Sequence, residues 1–214
     1  MNLAICLGVP YWNYETIRGW ADSFLQRYHP KKTIPVPIEI IVERDLQLGI
    51  VPIPNLLKDH RVDGFLKPNC REIVVDQFIC NHRPTRHNFT LAHEVGHLQM
   101  HANLYKKVRI DSLHDWKDFQ NSLSEKSRGA LEWQANAFAG LILVPADHLE
   151  TAIRSCVRKF AGQWGRAKAA EVSKQALEDR LTQAVSQEIC DSFCVSAEVI
   201  VRRIEREGFL LSAM

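Results

Sequence analysis

No stretch of this 214-residue chain is long and apolar enough to span a membrane. The apolar run Leu3–Val9 is short and no basic residue precedes it, so it does not read as an export signal. Net charge is nearly absent, at +2, which argues against binding nucleic acid through bulk electrostatics. Six cysteines (Cys6, Cys70, Cys80, Cys156, Cys190 and Cys194) follow no disulfide-module spacing. Without an export signal, reduced thiols and a cytoplasmic location are expected. Cys80-Asn81-His82 has no second pair of matching spacing, so it reads as structural. What remains, 46% hydrophobic and 24% charged, is an ordinary globular composition, enough for one large domain or a domain with an appendage.

One motif carries chemistry. His93-Glu94-Val95-Gly96-His97 is an instance of H-E-x-x-H. On a helix, positions i and i+4 share a face, so His93 and His97 can present two imidazoles to one point, as a zinc ion requires. Glu94 stands about 100° further round the helix. It is poorly placed to ligate the same ion but can reach a water beside it, so it reads as the general base. Phe89, Ala92, Gly96 and Met100 continue the histidine face, and Leu91, Val95 and Leu98 form a second apolar row. That is the pattern of a core helix. Gly96 weakens such a helix, and close approach by substrate or a neighbouring backbone would explain its presence. Two core histidines bonded to backbone groups would be the bland reading; the helical register and the intervening glutamate argue against it.

A catalytic zinc normally takes three protein ligands. The route H-E-x-x-H-x-x-G-x-x-H is excluded, because Met100 and Asn103 stand where it needs Gly and His. His101 continues the i, i+4 series, but one straight helix does not easily bring three turns to one ion, so it reads as a supporting or structural residue. Glu132 and Asn136, again i and i+4, are better placed: Glu132 as third ligand, Asn136 hydrogen-bonding a ligand histidine from behind.

His93 to His101, then Glu132-x-x-Ala135-Asn136-x-Phe138-Ala139 and Leu141-Ile142-Leu143-Val144-Pro145, resemble the ImmA/IrrE family of metallopeptidases. Arg86-x-x-Phe89-Thr90 and Asp63-Gly64 fit the same pattern. The likeness runs from about Ile38 to Pro145, with a looser match near Phe193–Gly208. It implies one zinc per chain on His93, His97 and Glu132, Glu94 as base, and a protein or peptide substrate, often a transcriptional repressor, with one encoded nearby as the expectation here. The long segment Asn103–Lys126 departs from the pattern and reads as an insertion bearing on substrate access.

The rest of the chain reads as mostly helical with a small sheet beside the H-E-x-x-H helix, an α+β, zincin-like class. Asn13–His29 forms a helix with the stripe Ile17, Trp20, Ala21, Phe24 and Tyr28. After a linker with three prolines, Pro37 opens a second helix that Gly49 closes. Ile50–Leu56 is extended and, with Pro52 and Pro54, confined to a sheet edge. Gly64–Lys67 and Glu72–Val75 form a hairpin. Asn81–Arg86 reads as a polar loop, Asn103–Lys126 as a segment without clean period, and Ser127–Leu143 as the second site helix. Ala146–Phe160 is a helix, Gly162–Lys168 a loop, and Ala169–Phe193 a long helix using Leu177, Leu181, Val185 and Ile189. Residues 1–160 are expected to form the peptidase domain and 161–214 a helical extension packed on it.

The donor completing an oxyanion site is left among Tyr105, His114, His148 and Arg86. Ser196 caps a last helix, Ala197–Glu207, closed by Gly208. Its Arg202, Arg203 and Arg206 resemble the basic face of a helix-turn-helix, and a DNA-binding or protein-binding regulator with a structural metal site is the alternative function. Glu198, Glu205 and Glu207 interrupt that face, so the tail reads as a packing element and nucleic-acid binding is not expected.

Overall fold

The computed structural model describes residues 9–107, 113–169 and 173–208. Most of Leu3–Val9, Cys6 included, lies outside the described residues, as do the side chains of Phe160 and Leu177. The chain divides into two compact units, Met1–Lys31 with Pro37–Ile142 and Lys32–Val36 with Leu143–Met214.

In the first unit, α1 (Tyr14–Tyr28) is capped by the Asn13 side chain, which accepts from the Thr16 N–H at 2.9 Å. Its Ile17, Ala21 and Phe24 are buried as the stripe requires. Helix α2 (Ile38–Ile40) runs on into a wider π-helical turn, Ile41–Asp45. Gly49 does not close it: Gln47 takes the left-handed turn (φ 55°), and Gly49 begins β1 (Gly49–Ile53). A short helix α3 (Leu56–His60) then precedes β2 (Gly64–Leu66) and β3 (Glu72–Asp76). The sheet order is β1-β3-β2, with β1 parallel and β2 antiparallel to the central strand. Pro52 therefore sits on an edge strand. Buried Ile73, Val74 and Val75 make β3 the apolar centre of the sheet.

Asp76, buried at the end of β3, binds two helices together. It accepts from the Ile79 N–H at 3.0 Å, capping α4 (Gln77–His82), and from the Leu57 N–H at 2.8 Å in α3. Asn81–Arg86 is accordingly not a loop: α4 reaches His82, and Pro84 supplies the first turn of α5 (Pro84–Tyr105), where its missing N–H costs nothing. Asn103–Lys126 also holds more order than its sequence suggests. Helix α5 continues to Tyr105, and α6 (Leu113–Ser122) buries Phe119 and Gln120; residues 108–112 lie outside the described residues. The second site helix, α7 (Glu125–Leu143), is backed by Phe24 of α1, whose ring meets Phe138 edge-on at 5.6 Å.

In the second unit, α8 (Ala146–Ala169) runs unbroken through Gly162–Lys168 and through the domain boundary expected at residue 160. Helix α9 (Lys174–Phe193) buries Leu181, Val185 and Ile189 and ends on left-handed Cys194 (φ 52°). Ser196 then precedes α10 (Ala197–Glu207), closed by Gly208 at φ 65°. Arg203 is buried, donates twice to the Val144 carbonyl at 3.2 and 3.1 Å, and pairs with Glu207.

Two glycines mark where backbone meets backbone. A Cβ on Gly64 would lie 2.6 Å from the Val74 oxygen and 2.7 Å from Thr90 Cγ2, so β2 could not keep its distance from β3 and α5. One on Gly96 would lie 3.1 Å from Ala135 Cα and 3.2 Å from its oxygen, where α5 crosses α7. A Cβ on Gly19 meets nothing within 4 Å. Denaturant unfolding should therefore show Gly64→Ala and Gly96→Ala losing about 1–3 kcal/mol. Gly19→Ala should gain up to about 1 kcal/mol from helix propensity alone. A Gly64→Ala protein as stable as wild type would contradict the packing described.

Candidate metal centre

The spacing of four residues along α5 stacks His93, His97, His101 and Tyr105 on one face. Ring centroids are 4.7 Å apart for His93–His97, 5.2 Å for His97–His101 and 5.6 Å for His97–Tyr105. Because Gly96 has no side chain, α7 comes close enough for Glu132 to meet the first two rings. Its Oε2 lies 3.2 Å from His93 Nε2 and its Oε1 3.7 Å from His97 Nε2, while the two Nε2 atoms are 3.0 Å apart. Metal–donor bonds of about 2.0–2.1 Å in a tetrahedron put neighbouring donors about 3.3 Å apart. The three separations bracket that value, and two imidazoles with one carboxylate are a zinc donor set. These residues fit the ion the sequence implies.

The supports are equally specific. Asn136 Oδ1 lies 3.0 Å from His93 Nδ1, one helical turn from Glu132, as its spacing predicts. His97 Nδ1 lies 3.0 Å from His101 Nδ1. Glu94 stands outside the donor set and is buried; its Oε2 accepts from the Leu66 N–H at 2.7 Å. Just after β2 the Lys67 N–H turns inward to the Glu72 carbonyl at 2.9 Å. By alternation the Leu66 N–H points out of the sheet edge, toward the site.

Burial raises the Glu94 pKa to about 7, against the pull of His93, with Glu132 adding to the rise. Burial opposes charge on His93, but hydrogen bonding to Glu132 and attraction from Glu94 outweigh it and push its pKa up to about 9. Burial holds His97 well below the ordinary imidazole range and His101 at about 4, the Gln134 amide partly offsetting the latter. Tyr105 is pushed well up by burial and by the two carboxylates.

The site opens into a cavity of about 460 Å³. Its walls include Gly64 at the start of β2, Trp116 and Gln120 of α6, and Arg128 of α7. Of the four oxyanion-donor candidates, Tyr105 lines this cavity and the other three do not. Arg86 is committed to Asp63 through two hydrogen bonds, at 2.5 and 2.8 Å, which tie the start of α5 to the turn before β2. His114 is exposed and pairs with Asp118 at 3.4 Å along α6. His148 Nε2 lies 2.6 Å from the Lys32 carbonyl. The sequence reading missed Leu66, because a backbone N–H has no residue signature. It also missed Trp116 and Gln120, which lie in a segment without clean period. Gln134 carried a usable signal, as a polar residue between Trp133 and Ala135 in the site helix, beyond the Glu132/Asn136 pair.

No curated protein matches the chain. Among solved structures, a Mycobacterium tuberculosis transcriptional regulator superposes with a TM-score of 0.53 at 15% identity. The match covers 89% of this chain and 46% of that one, so this chain spans just under half its length. At that identity the likeness concerns the fold alone. Among the described residues no helix is long and apolar enough to cross a membrane. Residues 47–182 match the model of the IrrE N-terminal-like domain, well over half of the chain, and the chain belongs to that family, Peptidase_M78.

Proposed function

We propose that the chain is a zinc-dependent endopeptidase with one ion per chain, held by His93, His97 and Glu132, that cuts a specific partner protein. The observation that carries this reading is the division of carboxylates. Glu132 sits within donor range of both Nε2 atoms. Glu94, one residue from a donor, is buried, stands apart from the donor group and has a pKa near neutrality, about 7. A base works best when its pKa lies near the working pH.

A bound zinc ion would supply Lewis acidity toward the scissile carbonyl and the attacking water. The chain's own residues do the rest. Glu94 takes a proton from the attacking water and delivers it to the leaving amine. The Leu66 N–H fixes the carboxylate that does so. Asn136 and His101 keep the two imidazole rings in place. Tyr105, neutral and at the cavity wall, is the candidate donor to the developing oxyanion. A repressor encoded nearby is the expected class of substrate, and a cytoplasmic location follows from the same reading. The burial of Arg203 and its bonds to Val144 and Glu207 support the tail as a packing element. Nanomolar, sequence-specific duplex binding at physiological salt would contradict that role.

Glu94→Gln preserves size and removes the basic carboxylate. Cleavage of the natural partner should fall by about 10²–10⁴-fold or more, with zinc content unchanged. Glu132→Ala should lose zinc and activity together. A Glu94→Gln protein that cuts its partner at the wild-type rate would move the chain from enzyme to metal-stabilised binding module.

A further inference from the structure

His101 on α5 is 1% exposed and Gln134 on α7 is fully buried, and neither lines the cavity. The polarity of their contacts can be worked outward from the backbone. Gln134 Nε2 donates to two carbonyl oxygens, those of Pro10 and Ala130, each at 3.0 Å. A carbonyl oxygen only accepts, so both amide hydrogens are committed. Turning the amide over would set its oxygen against two others, so the network fixes its orientation. Gln134 Oε1 is thereby left as an acceptor. It and His101 Nε2 are both buried without a well-formed hydrogen bond, and the Gln134 amide is the neighbour that favours a proton on the His101 ring. An orphaned acceptor and an orphaned ring nitrogen side by side are satisfied together when Nε2 carries the hydrogen.

A neutral imidazole has one N–H. With Nε2 protonated, His101 Nδ1 is a bare lone pair. It lies 3.0 Å from His97 Nδ1, so His97 must supply the hydrogen between them. His97 Nε2 is then the unprotonated nitrogen, and it is the one facing His93 Nε2 at 3.0 Å and Glu132 at 3.7 Å.

We infer that Gln134 and His101 form a hydrogen-bond relay, anchored on the Pro10 and Ala130 carbonyls, that locks His97 in the Nδ1–H tautomer with its Nε2 lone pair presented to the metal centre. Both are positioning residues. The relay exists without a metal; its consequence for zinc rests on the function proposed above. His93 has its Nδ1–H fixed in one step, by Asn136 Oδ1. For His97 this takes two, which gives His101 a role distinct from ligation.

Long-range proton–nitrogen correlation spectra of the histidine-labelled, metal-free protein, at mildly alkaline pH, show which ring nitrogens carry hydrogen. His97 should appear as Nδ1–H and His101 as Nε2–H; His97 as Nε2–H would overturn the relay. A second test reads zinc affinity by competition with a chromophoric chelator. His101→Phe fills the space without an acceptor and should weaken zinc binding about 10–100-fold. His101→Gln restores an acceptor and should recover most of that loss. Phe binding zinc as tightly as Gln would overturn the proposal. A wild type that binds no zinc would overturn the function proposed above, while the tautomer spectrum would still decide the relay.

Discussion

The backbone contact between α5 and α7 at Gly96 and Ala135 sets the geometry of the site. The space a Cβ would need there is already filled by Ala135 Cα at 3.1 Å and its oxygen at 3.2 Å. Only at that separation does Glu132, three residues before Ala135, reach His93 and His97, three residues before and one after Gly96. The contact is held from behind by Phe24 against Phe138. A residue that weakens an isolated helix is here the condition for joining two helices at one point.

That proximity carries an electrostatic cost. Three imidazoles and the Glu94 carboxylate share a largely buried region, where burial disfavours every charged form. The cluster meets this cost by giving its members unlike environments. Glu94 is lifted toward neutrality, His93 is charged by its two carboxylate neighbours, and His97 and His101 are kept neutral. Each ring has a specific partner at Nδ1, Asn136 for His93 and His101 for His97. Donor rings that are oriented before a cation arrives bind it with less reorganisation.

Much of this was legible in the chain. The i, i+4 spacings of His93/His97 and Glu132/Asn136 translate directly into shared helix faces, and the structure brings all four together. Gly96 signalled a close approach, and the neighbour is the backbone of Ala135. What escaped has a physical pattern. Pro84 conceals a helix start because the sequence before it looks like a polar loop, yet proline suits the first turn. Gly162 falls inside α8, where local propensity argued for a break. Arg86 stood among the oxyanion-donor candidates because its partner, Asp63, is remote in sequence. Leu66 contributes only its amide, which any residue but proline would supply.

X-ray absorption at the zinc edge, on wild-type protein loaded with one equivalent of zinc, tests the central claim most directly. The account predicts a four-coordinate ion with two imidazole nitrogens and oxygen donors at about 2.0–2.1 Å. A third imidazole in the shell would contradict the assignment of His101 and Glu132. Failure to take up stoichiometric zinc would contradict the metal centre itself.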